Sequence, residues 1–150
     1  MEKNILYIYT DGACCGNPGP GGWCSILSFN GTEKVLCGGE ADTTNNRMEL
    51  TAVIEGLKAL NRRCRVVITT DSKYVADAVT KGWLFSWQKR GWKKADGKPV
   101  LNVELWQELF HLLPTQDIEF IWIKGHNGHQ FNERCDKIAV EQSHLYSKNV

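Results

Sequence analysis

The order of strand-type and helix-type patterns along the chain is the feature that most limits its possible folds. Three strand patterns come first, and helical stripes then alternate with two further short strands, which gives the order βββαβαααβα. Because the two later strands follow helices, we expect them to join the first strand in parallel. The pattern predicts an α/β fold, with helices packed on both faces of a mixed five-stranded sheet that starts as an antiparallel meander.

The individual elements are predicted from β-branched and aromatic runs and from apolar residues at helical spacing. Strands are expected at 5–10, 23–29, 33–37, 66–70 and 118–123, and helices at 46–60, after 71–72, within 82–92, and at 102–113 and 132–143. Asn30-Gly31 predicts a hairpin turn, and the five glycines within 12–22 predict a loop. Asn46 with Glu49 resembles a capping pair at the start of the first helix.

The chain of 150 residues is the length of one domain, 1–150, whose last residues, about 145–150, we expect to be loose. No apolar run approaches the length of a membrane helix, and no signal region is visible at the start, so we expect a cytoplasmic protein. No obligate protein partner is indicated, and a monomer is expected.

Six cysteines could form three disulfides, but the absence of a secretion signal and of any Cys-x-x-Cys pair argues against disulfides and zinc sites. We expect reduced, mostly buried thiols. They are Cys14, Cys15, Cys24, Cys37, Cys64 and Cys135.

Positive charge is concentrated in one segment. Residues 81–98 contain six basic residues and one acidic residue, whereas the whole chain has a net charge of only +1. One compact basic segment on a slightly acidic body fits a polyanionic partner. The tryptophans interleaved with these cations can pack on sugars or bases; alternatively they are core residues, Trp106 above all, with Trp83 and Trp87 open to either interpretation.

Four acidic residues stand where a site can form. Asp11 and Asp71 end two predicted buried strands, while Glu49 and Asp136 fall near the starts of two helices. Each alone has an ordinary explanation, as a turn initiator or a helix-dipole partner. Together, an oxygen-only cluster would suit Mg²⁺ or Mn²⁺ and phosphoryl chemistry, but spacing alone does not show that the four meet.

Five motifs, in order, resemble the bacterial form of the type-1 ribonuclease H family. They are TDGACCGNPGPGGW (10–23), TTNNRMEL (43–50), TTDSKYV (69–75), KRGWKKADGKPVLNVELW (89–106) and IKGHNGHQFNERCD (123–136). The resemblance runs from about residue 5 to residue 140 and implies a ribonuclease H-like fold. It also implies an endonuclease that hydrolyses the RNA strand of RNA–DNA hybrids and leaves 5′-phosphate and 3′-hydroxyl ends.

The resemblance assigns roles to particular residues. Asp11, Glu49, Asp71 and Asp136 match the family's metal ligands, which implies two Mg²⁺ ions in the substrate complex, with Mn²⁺ as a substitute. His126 matches a mobile histidine that handles protons near the attacking water or aids product departure. The basic protrusion, about 82–100, would grip the DNA strand.

The nucleic-acid contacts implied by the resemblance fall in the glycine-rich stretch, the start of the first helix, the residue position after Asp71-Ser72 and the protrusion. They are Cys14, Gly16, Asn17, Thr44, Asn45, Asn46, Lys73, Trp83, Trp87, Lys89, Arg90, Trp92, Lys93, Lys94 and Lys98. Two positions depart from the family's pattern. Asp42 replaces a basic residue beside the expected DNA phosphate, and Lys73 replaces a neutral glutamine.

Three other functions remain open from the sequence. Another nuclease of the same fold, such as a resolvase or transposase core, would lack the Trp/Lys protrusion. A non-catalytic hybrid-binding module would have lost at least one of the four acids. A thiol or metal sensor is disfavoured by the scattered cysteines.

Overall fold

The computed structural model describes residues 4–125 and 129–147. The strands are β1 (Ile5–Cys14), β2 (Gly19–Phe29), β3 (Thr32–Thr43), β4 (Arg65–Thr70) and β5 (Asp117–Trp122). The helices are α1 (Asn45–Lys58), α2 (Lys73–Thr80), α3 (Trp83–Lys89), α4 (Val103–Leu112) and α5 (Gln130–Ser147), with a single 3₁₀ turn at Leu113–Thr115. The predicted order of elements is confirmed.

The five strands form one mixed sheet in the order β3-β2-β1-β4-β5. β1, β2 and β3 pair antiparallel as a meander, while β4 joins β1 and β5 joins β4 in parallel, as predicted. The hairpin between β2 and β3 turns at Asn30 and Gly31, whose φ values are +49° and +84°. Two consecutive positive φ values match the tight turn that Asn-Gly favours.

Helices cover both faces of the sheet. On one face, Ile8 and Ile68 pack with Leu50 of α1 and with Trp106 and Leu109 of α4 in the larger core. On the other face, α5 packs through Cys135 and Ala139 against Cys24 and Ile26 of β2. Alternating side chains of β1 and β2 therefore serve two separate cores.

The prediction of a loop over 12–22 was wrong, because strand structure continues through most of this stretch. β1 extends to Cys14 and β2 begins at Gly19. The glycines lie where helices approach the sheet: a Cβ on Gly12 would lie 2.5 Å from the backbone nitrogen of Glu49, and one on Gly22 would overlap the Ala139 carbonyl of α5. Glycine here makes room for helix backbones rather than for a turn.

Two helix starts differ from the sequence-based assignments. Thr44 caps α1, and its Oγ1 accepts from the backbone N–H of Arg47 at 3.2 Å, so the Asn46–Glu49 capping pair was wrong. Glu49 is buried in the second turn instead of reaching back to the helix start. At the other end of the chain, α5 begins at Gln130, which puts Asp136 in its second turn. The helix also includes residues 145–147, which belong to the stretch predicted to be loose.

The six cysteines are free, as predicted, but they are not mostly buried. Only Cys24 and Cys135 are buried, where α5 meets β2, while Cys15 and Cys37 are exposed. Among the residues that the structure describes, no helix combines the length and apolar character needed to cross a membrane.

Candidate active site

The candidate site lies at the edge of the sheet where the parallel strands β1 and β4 run out. Asp71 directly follows β4, and Asp11 lies inside β1, which continues four residues beyond the predicted end at residue 10. The register of the two strands pairs Tyr9 with Thr69, so Asp11 and Asp71 each lie two residues beyond the same rung. This is the edge at which open α/β sheets bind their ligands.

Glu49 reaches the same edge from α1, which packs directly on β1. Because Gly12 has no side chain, the second turn of α1 approaches the backbone beside Asp11. The structure thereby brings together three of the four predicted carboxylates: one oxygen each from Asp11, Glu49 and Asp71 lies within 4.8 Å of the others. Asp11 and Glu49 are only 2% and 5% exposed, so two of the three carboxylates lie in the interior rather than on the surface of the protein.

Burial and mutual repulsion dominate the electrostatics of the cluster. The pKa of Asp11 is raised to about 7, first by burial and then by the charge of Asp71, against the lowering effect of the Gly12 N–H, which donates to Asp11 Oδ1 at 2.9 Å. Burial, followed by the charges of Asp11 and Asp71, raises the pKa of Glu49 well above its usual value. Without a cation, Asp11 and Glu49 therefore keep their protons at pH values at which exposed carboxyls have already lost theirs.

Asp136 approaches the cluster from α5, on the opposite face of the sheet. Its charge also raises the pKa of Asp11, although its carboxylate is not one of the three that lie within 4.8 Å of one another. The neighbouring thiol of Cys135 donates to the Tyr9 carbonyl at 3.1 Å and so fastens this turn of α5 to β1.

The cluster fits a hard divalent cation. Asp11 Oδ2 and Glu49 Oε1 are fully buried, and no N–H group of the described residues donates to them, so the neighbouring carboxyls of the cluster are the side-chain partners within reach. Buried carboxylate oxygens without donors are costly unless a cation satisfies them, and an all-oxygen set matches Mg²⁺ or Mn²⁺ rather than zinc or copper.

The predicted proton-handling residue, His126, lies outside the described residues. The structure does describe His129, which lies directly before α5. Its Nδ1 accepts from the backbone N–H of Asn132 at 3.4 Å, and its ring contacts Tyr9 with centroids 5.6 Å apart. These contacts attach the start of α5 to β1.

Comparison with known proteins decides the family. The family model for RNase H matches residues 3–144, nearly the whole chain. The chain belongs to the ribonuclease H family. A ribonuclease H of Nitratidesulfovibrio vulgaris (strain DP4) is 55% identical over 143 residues, which are 95% of this chain and 92% of that protein.

Solved structures agree with the ribonuclease H assignment. The crystal structure of LC9-RNase H1, a type 1 RNase H, superposes with a TM-score of 0.84 at 33% identity and covers 97% of this chain and 75% of that one. LC11-RNase H1 in complex with an RNA/DNA hybrid gives a TM-score of 0.64 at 22% identity over 93% of this chain and 97% of that one. At this lower identity the second likeness shows the fold alone.

Several predicted nucleic-acid contacts of this ribonuclease H lie together around the start of α1. Asn17 Oδ1 accepts from the backbone N–H of Asn45 at 3.1 Å, and Cys14 Sγ lies 3.4 Å from the Thr43 carbonyl. Side chains thus already occupy the N–H groups of residues 45 and 47, so the start of this helix offers an anion fewer donors than a bare helix end. The Thr44 hydroxyl proton and the side chains of Asn45 and Asn46 remain as donors.

The basic segment has an exposed surface and an anchored base. Its predicted phosphate contacts are all exposed, and no salt bridge among the described residues neutralises them: Lys89, Arg90, Lys93, Lys94 and Lys98. Trp87 packs edge-on against the fully buried Trp106 at 5.4 Å, and Trp92 packs edge-on against Phe110 at 5.8 Å. Trp106 is therefore a core residue, as its alternative interpretation predicted, whereas Trp83 is 44% exposed.

Sequence reasoning missed a tryptophan at the rim of the site. Trp122 Nε1 donates to the Asp71 carbonyl at 3.0 Å, and the ammonium of Lys73 lies over its ring at 5.7 Å. The contact holds the backbone of one cluster carboxylate. The alternation of β5 puts Phe120 and Trp122 on one face, but nothing in the sequence indicates that the indole reaches Asp71.

Proposed function

We propose that this ribonuclease H hydrolyses the RNA strand of RNA–DNA hybrids with two Mg²⁺ ions held by Asp11, Glu49, Asp71 and Asp136. The observation that supports the proposal is the convergence of buried Asp11 and Glu49 with half-buried Asp71, with Asp136 acting on Asp11 from α5. A bound pair of divalent ions would activate water and stabilise the leaving oxygen of an in-line displacement. The products would carry 5′-phosphate and 3′-hydroxyl ends, and Mn²⁺ would substitute.

The chain's own groups hold and orient the reactants. The rigid contact of α1 with β1 at Gly12 fixes Glu49 beside Asp11, and Trp122 fixes the backbone of Asp71. His126 is proposed to move a proton near the attacked phosphate, because the pKa of imidazole lies near neutrality. Because the pKa values of Asp11 and Glu49 are raised, positive charge arriving at the cluster would favour the release of their protons.

Recognition of the hybrid is assigned to two surfaces. The region of Cys14, Gly16, Asn17 and Asn45 would contact the 2′-hydroxyls of the RNA strand through the shallow minor groove. The basic segment would track the phosphates of the DNA strand, with its exposed cations and Trp83 facing the duplex. Action as a monomer in the cytoplasm stays a prediction from the sequence.

A cleavage assay tests the proposal. Labelled RNA–DNA hybrid, duplex RNA and duplex DNA are incubated with Mg²⁺, with Mn²⁺ or with a chelator. We expect cleavage of the RNA strand of the hybrid alone, with either ion and not with the chelator. Cleavage of duplex DNA would favour another nuclease of this fold, and hybrid binding without cleavage would favour a non-catalytic module.

A further inference from the structure

A hydrogen-bond network joins the N-terminal ends of α1, α2 and α4. Arg47 of α1 donates to Asn102 Oδ1 at 3.1 Å and through both terminal nitrogens to Glu104, at 3.3 and 3.2 Å. Asn102 Nδ2 in turn donates to the hydroxyl of Tyr74 at 2.9 Å, and this hydroxyl also accepts from Trp106 Nε1 at 3.1 Å. The Tyr74 hydroxyl is therefore the group at which the three helices meet.

The network holds the point at which the basic segment returns to the body of the protein. Asn102 directly precedes α4 and has a left-handed backbone, with φ +58° and ψ +35°. Its side chain makes no capping bond to α4, because its amide is directed to Arg47 and Tyr74. Two residues earlier, the Val100 N–H donates to the Trp92 carbonyl at 3.3 Å and closes the base of the segment.

We propose that Tyr74 is a positioning residue that sets the orientation of the basic segment for hybrid binding. This inference rests on the proposed role of that segment in holding the hybrid. Without the hydroxyl, Asn102 loses its amide acceptor and the returning chain can pivot. The exposed cations must then be ordered when the hybrid binds, which weakens binding without altering the bound complex.

The carboxylate cluster is expected to be insensitive to the Tyr74 hydroxyl. Tyr74 lies only three residues after Asp71, but Asp71 is held independently by the indole of Trp122 and by β4, which is paired on both sides. The same tyrosine ring still packs on Trp106, with centroids 5.2 Å apart, when only its oxygen is removed. Loss of the hydroxyl should thus weaken hybrid binding and leave metal binding unchanged.

The test replaces Tyr74 by phenylalanine in the full chain. We expect the KM for hybrid to rise about 3- to 10-fold, the range for one lost hydrogen bond of ordinary strength, with kcat within about twofold of the parent. Mg²⁺ affinity of the free protein, measured by calorimetry, should not change. Tyr7→Phe is the matched control, because Tyr7 is 37% exposed on β1 and lies outside the network.

A double-mutant cycle decides whether Tyr74 acts through the basic segment. In a background that carries Lys89→Ala, Lys93→Ala and Lys94→Ala, Tyr74→Phe should raise KM by less than about twofold. The proposal would be overturned if Tyr74→Phe raised KM in that background as much as in the parent, or if it did not raise KM in the parent at all. If the triple lysine change itself leaves KM unaltered, the segment does not hold the hybrid, and the inference fails because the role on which it rests is wrong. This outcome differs from a failure at Tyr74 alone, in which the lysine changes raise KM and Tyr74→Phe does not.

Thermal melts check that the phenylalanine protein is folded, since Trp106 Nε1 is left buried without its acceptor. Glu104→Gln tests the same network from its exposed end and avoids that penalty. It weakens the hold on Arg47, so we expect KM to rise by about twofold with kcat and Mg²⁺ affinity unchanged. A fall in Mg²⁺ affinity in either protein would assign the network to the carboxylate cluster and contradict the proposal.

Discussion

The carboxylate cluster and the basic segment are built in opposite ways. The cluster is largely buried and is drawn from β1, from the end of β4 and from α1, which packs directly on β1. The segment exposes its cations and is attached to the body through Trp87, Trp92 and the network around Asn102. Changes in the cluster should therefore alter chemistry and folding stability together, whereas changes in the segment should alter binding alone.

Replacement of Asp11 by asparagine is the change with the largest expected effect. Loss of a metal-binding charge should lower the cleavage rate by about a thousandfold or more, while hybrid binding survives because the phosphate contacts lie elsewhere. Single-turnover cleavage and hybrid titration measure the two effects. Asp117→Asn, at an exposed aspartate on β5, is the matched control. Near-normal turnover of the Asp11 variant would remove this residue from the site.

The stability of the metal-free protein should depend on pH because of the cluster. An unfolded aspartate loses its proton near pH 3.8, whereas folded Asp11 holds it to about pH 7. Between these values the folded state binds the extra proton, so the free energy of unfolding falls as the pH rises towards 7 and levels off above it. We expect a fall of about 2–3 kcal/mol between about pH 5 and pH 8.

Urea melts at both pH values, with a chelator present, measure this dependence. Asp11→Asn should remove most of it and make the metal-free protein more stable at the higher pH. Saturating Mg²⁺ should oppose the loss, because it binds the deprotonated carboxylates. A parent protein equally stable at both pH values would show that the cluster does not hold its protons.

The basic segment should supply much of the salt sensitivity of hybrid binding. Changing Lys89, Lys93 and Lys94 to alanine should flatten the slope of log affinity against log salt by up to about one unit for each lost phosphate contact. The rate at saturating hybrid and the unfolding free energy should remain near the parent values, because these side chains are exposed. An unchanged slope would make the segment a structural feature only.

Asp42→Arg should have the smallest effect. Asp42 is exposed on β3, two residues before the Thr44 cap. Burial raises the pKa of the Cys14 thiol, and the charge of Asp42 adds a smaller increase. Arginine should tighten hybrid binding a few-fold, chiefly at low salt, and should lower stability by a few tenths of a kcal/mol through loss of a favourable helix-dipole contact. Hybrid titrations at about 50 and 200 mM salt, with urea melts, separate the effects. Equal affinity at low salt would place Asp42 away from the DNA phosphate.

The sequence predicted the order and pairing of the elements because strands and helices each have a characteristic local spacing of apolar residues. It failed at 12–22, where glycines that admit helix backbones look the same as glycines of a loop. It predicted a cluster of four acids, of which the structure brings Asp11, Glu49 and Asp71 together, but their closeness depends on how α1 packs on β1. The contacts of Tyr74 and Trp122 were missed because a buried hydroxyl or indole shows its partner only in three dimensions.

The direct contact at Gly12 has a consequence for the selection of ions. Two main chains in van der Waals contact cannot move closer, and the β1 ladder and the α1 helix limit how far they can separate. The spacing of the two main chains beside Asp11 and Glu49 is thus set by hard-sphere radii, and only the two side chains can adjust to an ion. A site whose backbone has so little freedom would discriminate between cations by their radius, because its oxygen ligands cannot move far to follow a larger ion.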